Sequence, residues 1–118
     1  MAVRLYQYPK CGTCRKAIKW LDDRGVVYEA IDITQRPPSV AELGRLRARS
    51  GLPLRRFFNT SGESYRTGNF KVRLETMTDD EALAALAADG KLIKRPLIVT
   101  DTHVLVGFDA AEYTRAFA

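Results

Sequence analysis

The chain has 118 residues and a formal charge of +5, with 46% hydrophobic and 28% charged residues. That is enough apolar material for one ordinary core, and too well mixed in sign for a disordered segment. No apolar run approaches a membrane span, and no leader, low-complexity tract or internal repeat is legible, so the expectation is one domain over residues 1–118, cytoplasmic and without a membrane partner.

Val3 to Tyr6 reads as a buried strand. Ala17, Ile18 and Leu21 carry helical spacing from Cys14 to about Arg24, where Gly25 can cap the end. Val26 to Ile31 alternates as a second strand, and Pro37-Pro38 breaks the chain. Ser39, with Glu42 three residues on, opens a helix to about Ser50, ended by Gly51, with Leu43 and Leu46 facing inward. Between Leu52 and Met77 the pattern is poorer. Leu54 to Phe58 suggests a short helix carrying Phe57 and Phe58 inward, and Asn59-Thr60-Ser61-Gly62 a turn. Thr78 with Glu81 starts a third helix, with Leu83, Leu86 and Ala87 as its apolar face and Gly90 at its close. Pro96 leads into a strand to Val99, Thr100 to His103 makes a tight turn, and Val104 to Val106 returns antiparallel. Asp109 with Glu112 starts the last helix, whose Tyr113, Ala116 and Phe117 can pack on the sheet. The order predicts an α/β, thioredoxin-like fold with a helical insertion, about residues 39–90, between the second and third strands.

The only two cysteines stand in Cys11-Gly12-Thr13-Cys14, at the turn from the first strand into the first helix. A helix N-terminus offers free backbone N–H groups and the positive end of the macrodipole, and both favour a thiolate. Lys10, Arg15 and Lys16 add positive charge. Cys11 is the candidate nucleophile and Cys14, one turn on, the resolving thiol. Zinc would need four ligands, and two cysteines with the single His103 do not supply them, so no metal is expected. A structural disulfide closing so short a loop would constrain little of the unfolded chain. A thiol pair beside a strand–helix turn therefore points to redox chemistry.

Pro96 is the candidate for the proline that thioredoxin-like folds place opposite their cysteines, with a cis peptide bond. Arg95 before it would then reach the cysteine pocket, bind an oxyanion through paired hydrogen bonds and favour the Cys11 thiolate. Lys10, Gly12 and Thr13 in the cysteine turn, together with Asn59, Arg66 and Pro96, are candidate substrate-binding residues. Arg55, Arg56 and Ser61 are weaker candidates, and His103, in a hairpin turn, is given no role. Trp20 is read as core. The other basic residues are scattered, with no basic helix, zinc finger or RNA-binding aromatic signature, so direct contact with nucleic acid is not expected, whereas an anionic substrate or acidic partner is compatible with the charge.

Three blocks carry a resemblance to a known family: Tyr8-Pro9-Lys10-Cys11-Gly12-Thr13-Cys14-Arg15-Lys16-Ala17, Phe57-Phe58-Asn59-Thr60-Ser61-Gly62 with Tyr65-Arg66, and Lys94-Arg95-Pro96-Leu97-Ile98-Val99. In this order they resemble the ArsC-type arsenate reductases, a family that includes the Spx and MgsR-like regulators. The resemblance covers nearly the whole chain. It implies a thiol-dependent oxidoreductase reducing arsenate to arsenite, with no bound cofactor and with thioredoxin or glutathione and glutaredoxin as external reductant. Glutaredoxin-linked members use one cysteine, matched by Cys11, and three arginines around the oxyanion. Arg95 matches one, while Asn59 and Gly107 stand at the other two positions, and Cys14 is a thiol those members lack. The resemblance also allows two alternatives. One is an Spx-like redox regulator binding the C-terminal domain of the RNA polymerase α subunit; such regulators usually carry a polar tail beyond the last helix, directly after which this sequence stops at Ala118. The other is a general glutathione or thiol reductase.

Overall fold

The computed structural model describes residues 2–117. In chain order the elements are β1 (Arg4–Gln7), α1 (Gly12–Asp23), β2 (Glu29–Asp32), α2 (Val40–Ser50), α3 (Glu63–Thr67), α4 (Phe70–Arg73), α5 (Asp79–Ala88), β3 (Leu97–Val99), β4 (Val104–Val106) and α6 (Ala110–Ala116), with 3₁₀ turns at Leu54–Phe57 and Gly90–Leu92. They form two compact units, one from the stretches 2–32 and 95–117, the other from 33–94.

The first unit is built on a four-stranded sheet of order β2-β1-β3-β4. β1 runs parallel to β2, with Arg4 opposite Glu29, and antiparallel to β3, with Leu5 opposite Ile98 and Tyr6 opposite Leu97. β3 and β4 form the expected hairpin. Its turn is closed by Thr100, whose N–H donates to the His103 carbonyl at 2.9 Å and whose hydroxyl accepts the N–H groups of Thr102 and His103. Val3, Leu5, Ala17, Trp20, Leu21, Ile98, Leu105 and Tyr113 form the core. Trp20 meets Tyr113 edge to face at 5.4 Å, and the Tyr113 hydroxyl donates to the Gly107 carbonyl at 2.7 Å, so this buried polar group is satisfied. Each large side chain so buried stabilises the fold by about 1.5–3 kcal/mol. This β-α-β unit followed by a hairpin and helix is the thioredoxin-like arrangement, with the helical segment inserted between β2 and β3.

β2 is shorter than the alternation suggests and starts at Glu29 instead of Val26. The N–H groups of Arg24, Gly25 and Val26 all turn back to the end of α1, onto the carbonyls of Leu21 and Asp22, with Gly25 in the left-handed region at φ 68°. Those donors are spent before the ladder can begin, and Val27 is left 86% exposed. The ladder opens where the Glu29 N–H reaches the Val3 carbonyl at 2.8 Å.

In the second unit α2 and α5 pack together, burying Leu43 and Leu46 of one and Ala82 and Leu86 of the other. Leu83 and Ala87 lie at the margin, partly exposed. Ser39 caps α2 by accepting the Glu42 N–H, and Gly51 ends it at φ 69°. Thr78 and Glu81 close a full capping box on α5, each side chain accepting the other's backbone N–H at 3.1 and 2.9 Å. Leu54–Phe57 is a 3₁₀ turn that leaves Phe57 and Phe58 1% exposed, and Phe58 bridges to Ile93. The segment without legible periodicity contains α3 and α4. These are five and four residues long, too short to show a helical period, and are set by the packing of Tyr65 and Phe70 on Phe58 and on each other. Gly90 is buried against the Ile33 main chain, where a Cβ would run into the Ile33 carbonyl. Among the described residues no helix is long and apolar enough to cross a membrane.

Candidate active site

β1 ends at Gln7, and the chain turns through Tyr8, Pro9 and Lys10 into α1. The turn is fixed by its main chain: the Cys11 N–H donates to the Tyr8 carbonyl at 3.0 Å, and the Arg15 N–H to the Cys11 carbonyl at 3.2 Å. Cys11 is the N-cap of α1. Its backbone is extended, and its Sγ accepts the Cys14 N–H at 3.3 Å, the place a serine or aspartate oxygen takes in an ordinary cap. The sulfur therefore sits at the positive end of a twelve-residue helix. Gly12 and Thr13 are exposed beside it, and Lys10, Arg15 and Lys16 are exposed around it. Gly12 has open space where a side chain would stand. Cys11 is partly exposed and Cys14 fully buried, and both are free thiols.

Arg95 stands just before β3, partly buried, and the Arg95–Pro96 bond is cis, as the fold expectation required. Because β3 pairs with β1, a residue more than eighty positions away in sequence is brought to the cysteine turn. Partial burial alone would push the Cys11 thiol up. It is outweighed by hydrogen bonds from the Cys14 thiol and N–H, and by the hydrogen bond and charge of the Arg95 guanidinium, so the net shift is downward. Cys14 moves the other way, to about 12. Burial is the main cause, reinforced by its hydrogen bond to Cys11 and that sulfur's charge, against which the Tyr8 N–H and Arg95 act only in part. The two thiols are thus differentiated, an accessible sulfur disposed to ionise and a buried one that holds its proton.

Asn59 and Arg66 belong to the second unit. Asn59 opens the expected turn, its carbonyl accepting the Gly62 N–H at 3.1 Å and its N–H donating to Leu92. Arg66 is exposed on α3, donating to the Ser61 carbonyl at 2.7 Å, and with Thr60, Tyr65, Asn69 and Lys71 it lines a cleft of about 300 Å³. Arg55 and Arg56 are exposed on the 3₁₀ turn. His103 lies in the hairpin turn, its Nδ1 2.8 Å from the Thr102 hydroxyl. Among the described residues there is no group of three His, Cys, Asp or Glu side chains able to hold a metal ion.

Two residues that the sequence named without a geometry of their own are placed by the structure. The Tyr8 ring lies with its centroid 5.3 Å from Arg95 Cζ; in the sequence Tyr8 is part of the block leading into Cys11, with no role for its ring. Gly107 follows β4 at φ 82°, its N–H bonded to the Pro96 carbonyl at 2.8 Å. A side chain there, such as the arginine of the reductases the sequence resembles, would have to occupy a backbone region that L residues rarely adopt.

The ArsC family matches this chain over residues 6–116. The chain belongs to the ArsC family. It is 49% identical to the uncharacterised protein YusI of Bacillus subtilis, with the whole of both chains aligned. It is 25% identical to the global transcriptional regulator Spx of Listeria innocua, over 96% of this chain and 85% of the regulator. Among solved structures, an ArsC family related protein from Bacteroides fragilis is 45% identical and superposes with a TM-score of 0.94, covering 98% of this chain and 97% of the other. An arsenate reductase from Vibrio cholerae is 32% identical with a TM-score of 0.78, covering 88% and 87%. The family thus spans enzymes and transcriptional regulators on one thioredoxin-like fold.

Proposed function

We propose that the protein is a thiol-dependent oxidoreductase that reduces arsenate to arsenite, with Cys11 as nucleophile and Cys14 as resolving thiol. The observation that carries this reading is the differentiation of the two sulfurs: Cys11 capping α1 beside Arg95, its thiol lowered, and Cys14 buried one turn on, its thiol pushed up by that burial. The Cys11 thiolate attacks arsenic(V). An arsenic–sulfur bond forms and an arsenic–oxygen bond breaks, the oxygen leaving as water once protonated. Cys14, after giving up its proton, attacks the Cys11 sulfur. A disulfide forms, the sulfur–arsenic pair stays on arsenic, and arsenite departs. Two thiols have supplied the two electrons, and thioredoxin, or glutathione with glutaredoxin, returns them from outside. Arg95 and the N–H groups at the start of α1 hold the oxyanion, with Lys10, Gly12, Thr13 and Pro96 of the same unit as further substrate-binding candidates. The test is arsenate-dependent consumption of reductant coupled to thioredoxin or glutaredoxin. A wild-type rate no higher than that of Cys11→Ser refutes the reading. Turnover of a glutathione mixed disulfide without arsenate reduction narrows it to a general thiol reductase.

A second reading is an Spx-like redox regulator. It is favoured by one observation, the absence of arginine at positions 59 and 107, the latter reinforced by the left-handed backbone of Gly107. It predicts binding to the C-terminal domain of the RNA polymerase α subunit that differs between the dithiol and disulfide forms. No binding in either form removes it.

A further inference from the structure

Antiparallel pairing of β1 and β3 ends with Tyr6 opposite Leu97. The ladder stops there, and Tyr8 and Arg95 each stand two residues beyond the last pair. The Arg95 guanidinium carbon lies 5.3 Å from the centre of the Tyr8 ring. That is within the reach of a cation–π contact, and both side chains are partly buried, where such contacts strengthen. Tyr8 also touches both sulfurs' settings through its main chain. Its carbonyl accepts the Cys11 N–H at 3.0 Å, and its N–H donates to the Cys14 sulfur.

We propose that Tyr8 is the positioning residue of this thiol site, its ring holding the Arg95 guanidinium against the Cys11 sulfur while its main chain fixes the turn that carries both cysteines. An arginine has several rotatable bonds, and a guanidinium turned away from the cysteine turn would share its charge with water instead of with one sulfur. A flat aromatic face beside it limits that freedom, and the planar guanidinium is the cation best suited to lie on it. The other groups near the sulfur do not replace this contact. Lys10, Arg15 and Lys16 are exposed, so their charges are screened, and Cys14 donates only its own thiol and N–H. The inference deepens the reading of Cys11 as nucleophile, but it concerns the thiolate alone and needs no arsenate to be tested.

The experiment is the pH profile of Cys11 alkylation by iodoacetamide, followed by mass spectrometry on the full chain. Tyr8→Leu keeps the main-chain bonds and removes the ring. Its alkylation midpoint is expected at higher pH than wild type, with a rate at pH 7 lower by about two- to tenfold. Tyr8→Phe, which keeps the face, is expected to restore the wild-type profile. In an Arg95→Ala background Tyr8→Leu is expected to add little, because the group it positions is gone. If Tyr8→Leu does not fold, Tyr8→Met takes its place. A Tyr8→Leu profile that overlays wild type overturns the proposal, as does a loss equally large with and without Arg95. Faster labelling of Cys14 than of Cys11 in the wild type overturns the nucleophile assignment itself, and the proposal with it.

Discussion

Arg95 and Cys11 make the sharpest case for single side chains deciding the chemistry. If the guanidinium holds an oxyanion, Arg95→Ala weakens transition-state binding by about 2–4 kcal/mol, the range for loss of one preorganised donor, and Arg95→Lys recovers only part because an ammonium cannot make the paired contact. Steady-state kinetics on the two variants measure this, and unchanged turnover retires the role. The cysteines divide the work in a way that labelling can read. Cys14→Ser is expected to form an adduct at Cys11 with no internal disulfide, and Cys11→Ser to form neither. Stability should also carry their opposite shifts. Cys11 is held below the ordinary thiol value of 9.0, so its contribution is complete above pH 9 and is lost as pH falls through its folded value. Cys14, raised to about 12, contributes stability that is complete below pH 9 and is lost as pH rises from 9 through 12. Urea denaturation of Cys14→Ser between pH 9 and 12 is therefore expected to show a smaller alkaline loss than wild type; an equal loss in both would contradict the assignment.

Helix ends were the most legible elements because their chemistry is local. Ser39, Thr78 and Asp109 each accept a backbone N–H from the first turn they precede, as their sequence spacing required. Removing the box at α5 by Thr78→Ala is expected to cost about 1 kcal/mol, seen as a lower denaturation midpoint with an unchanged slope. Elements whose limits depend on distant partners were less legible. The alternation from Val26 onward was genuine in composition, but the donors of residues 24–26 were already committed to the end of α1. α3 and α4 depend on Phe58, Tyr65 and Phe70 meeting, a fact no window of sequence contains. At the site, the cysteine turn could be read from neighbouring residues, and Arg95 was anticipated from the fold's cis proline and then through a family resemblance. The Tyr8 ring needed the register of two strands.

At the scale of the molecule, the chain leaves the sheet after β2, builds the helical segment 33–94, and returns at Arg95 to lay β3 beside β1. Of the glycines in the helical segment, Gly90 leaves the least room for a side chain. Gly90→Ala would press a methyl group into the Ile33 main chain, so a destabilisation of about 1–3 kcal/mol or more is expected, against a few tenths at an open position. Thermal melts of Gly90→Ala and Gly12→Ala, the latter with open space around it, provide the comparison. The order in which the strands are made has a further effect. While the chain is being synthesised, the two cysteines emerge long before Arg95, one of the groups that lower the Cys11 thiol. Until β3 is in place Cys11 lacks the contribution of Arg95 to its thiolate. A nascent or unfolded chain thus carries its nucleophile in a less reactive form, and the gain in Cys11 reactivity that Arg95 adds during refolding marks the closing of the sheet.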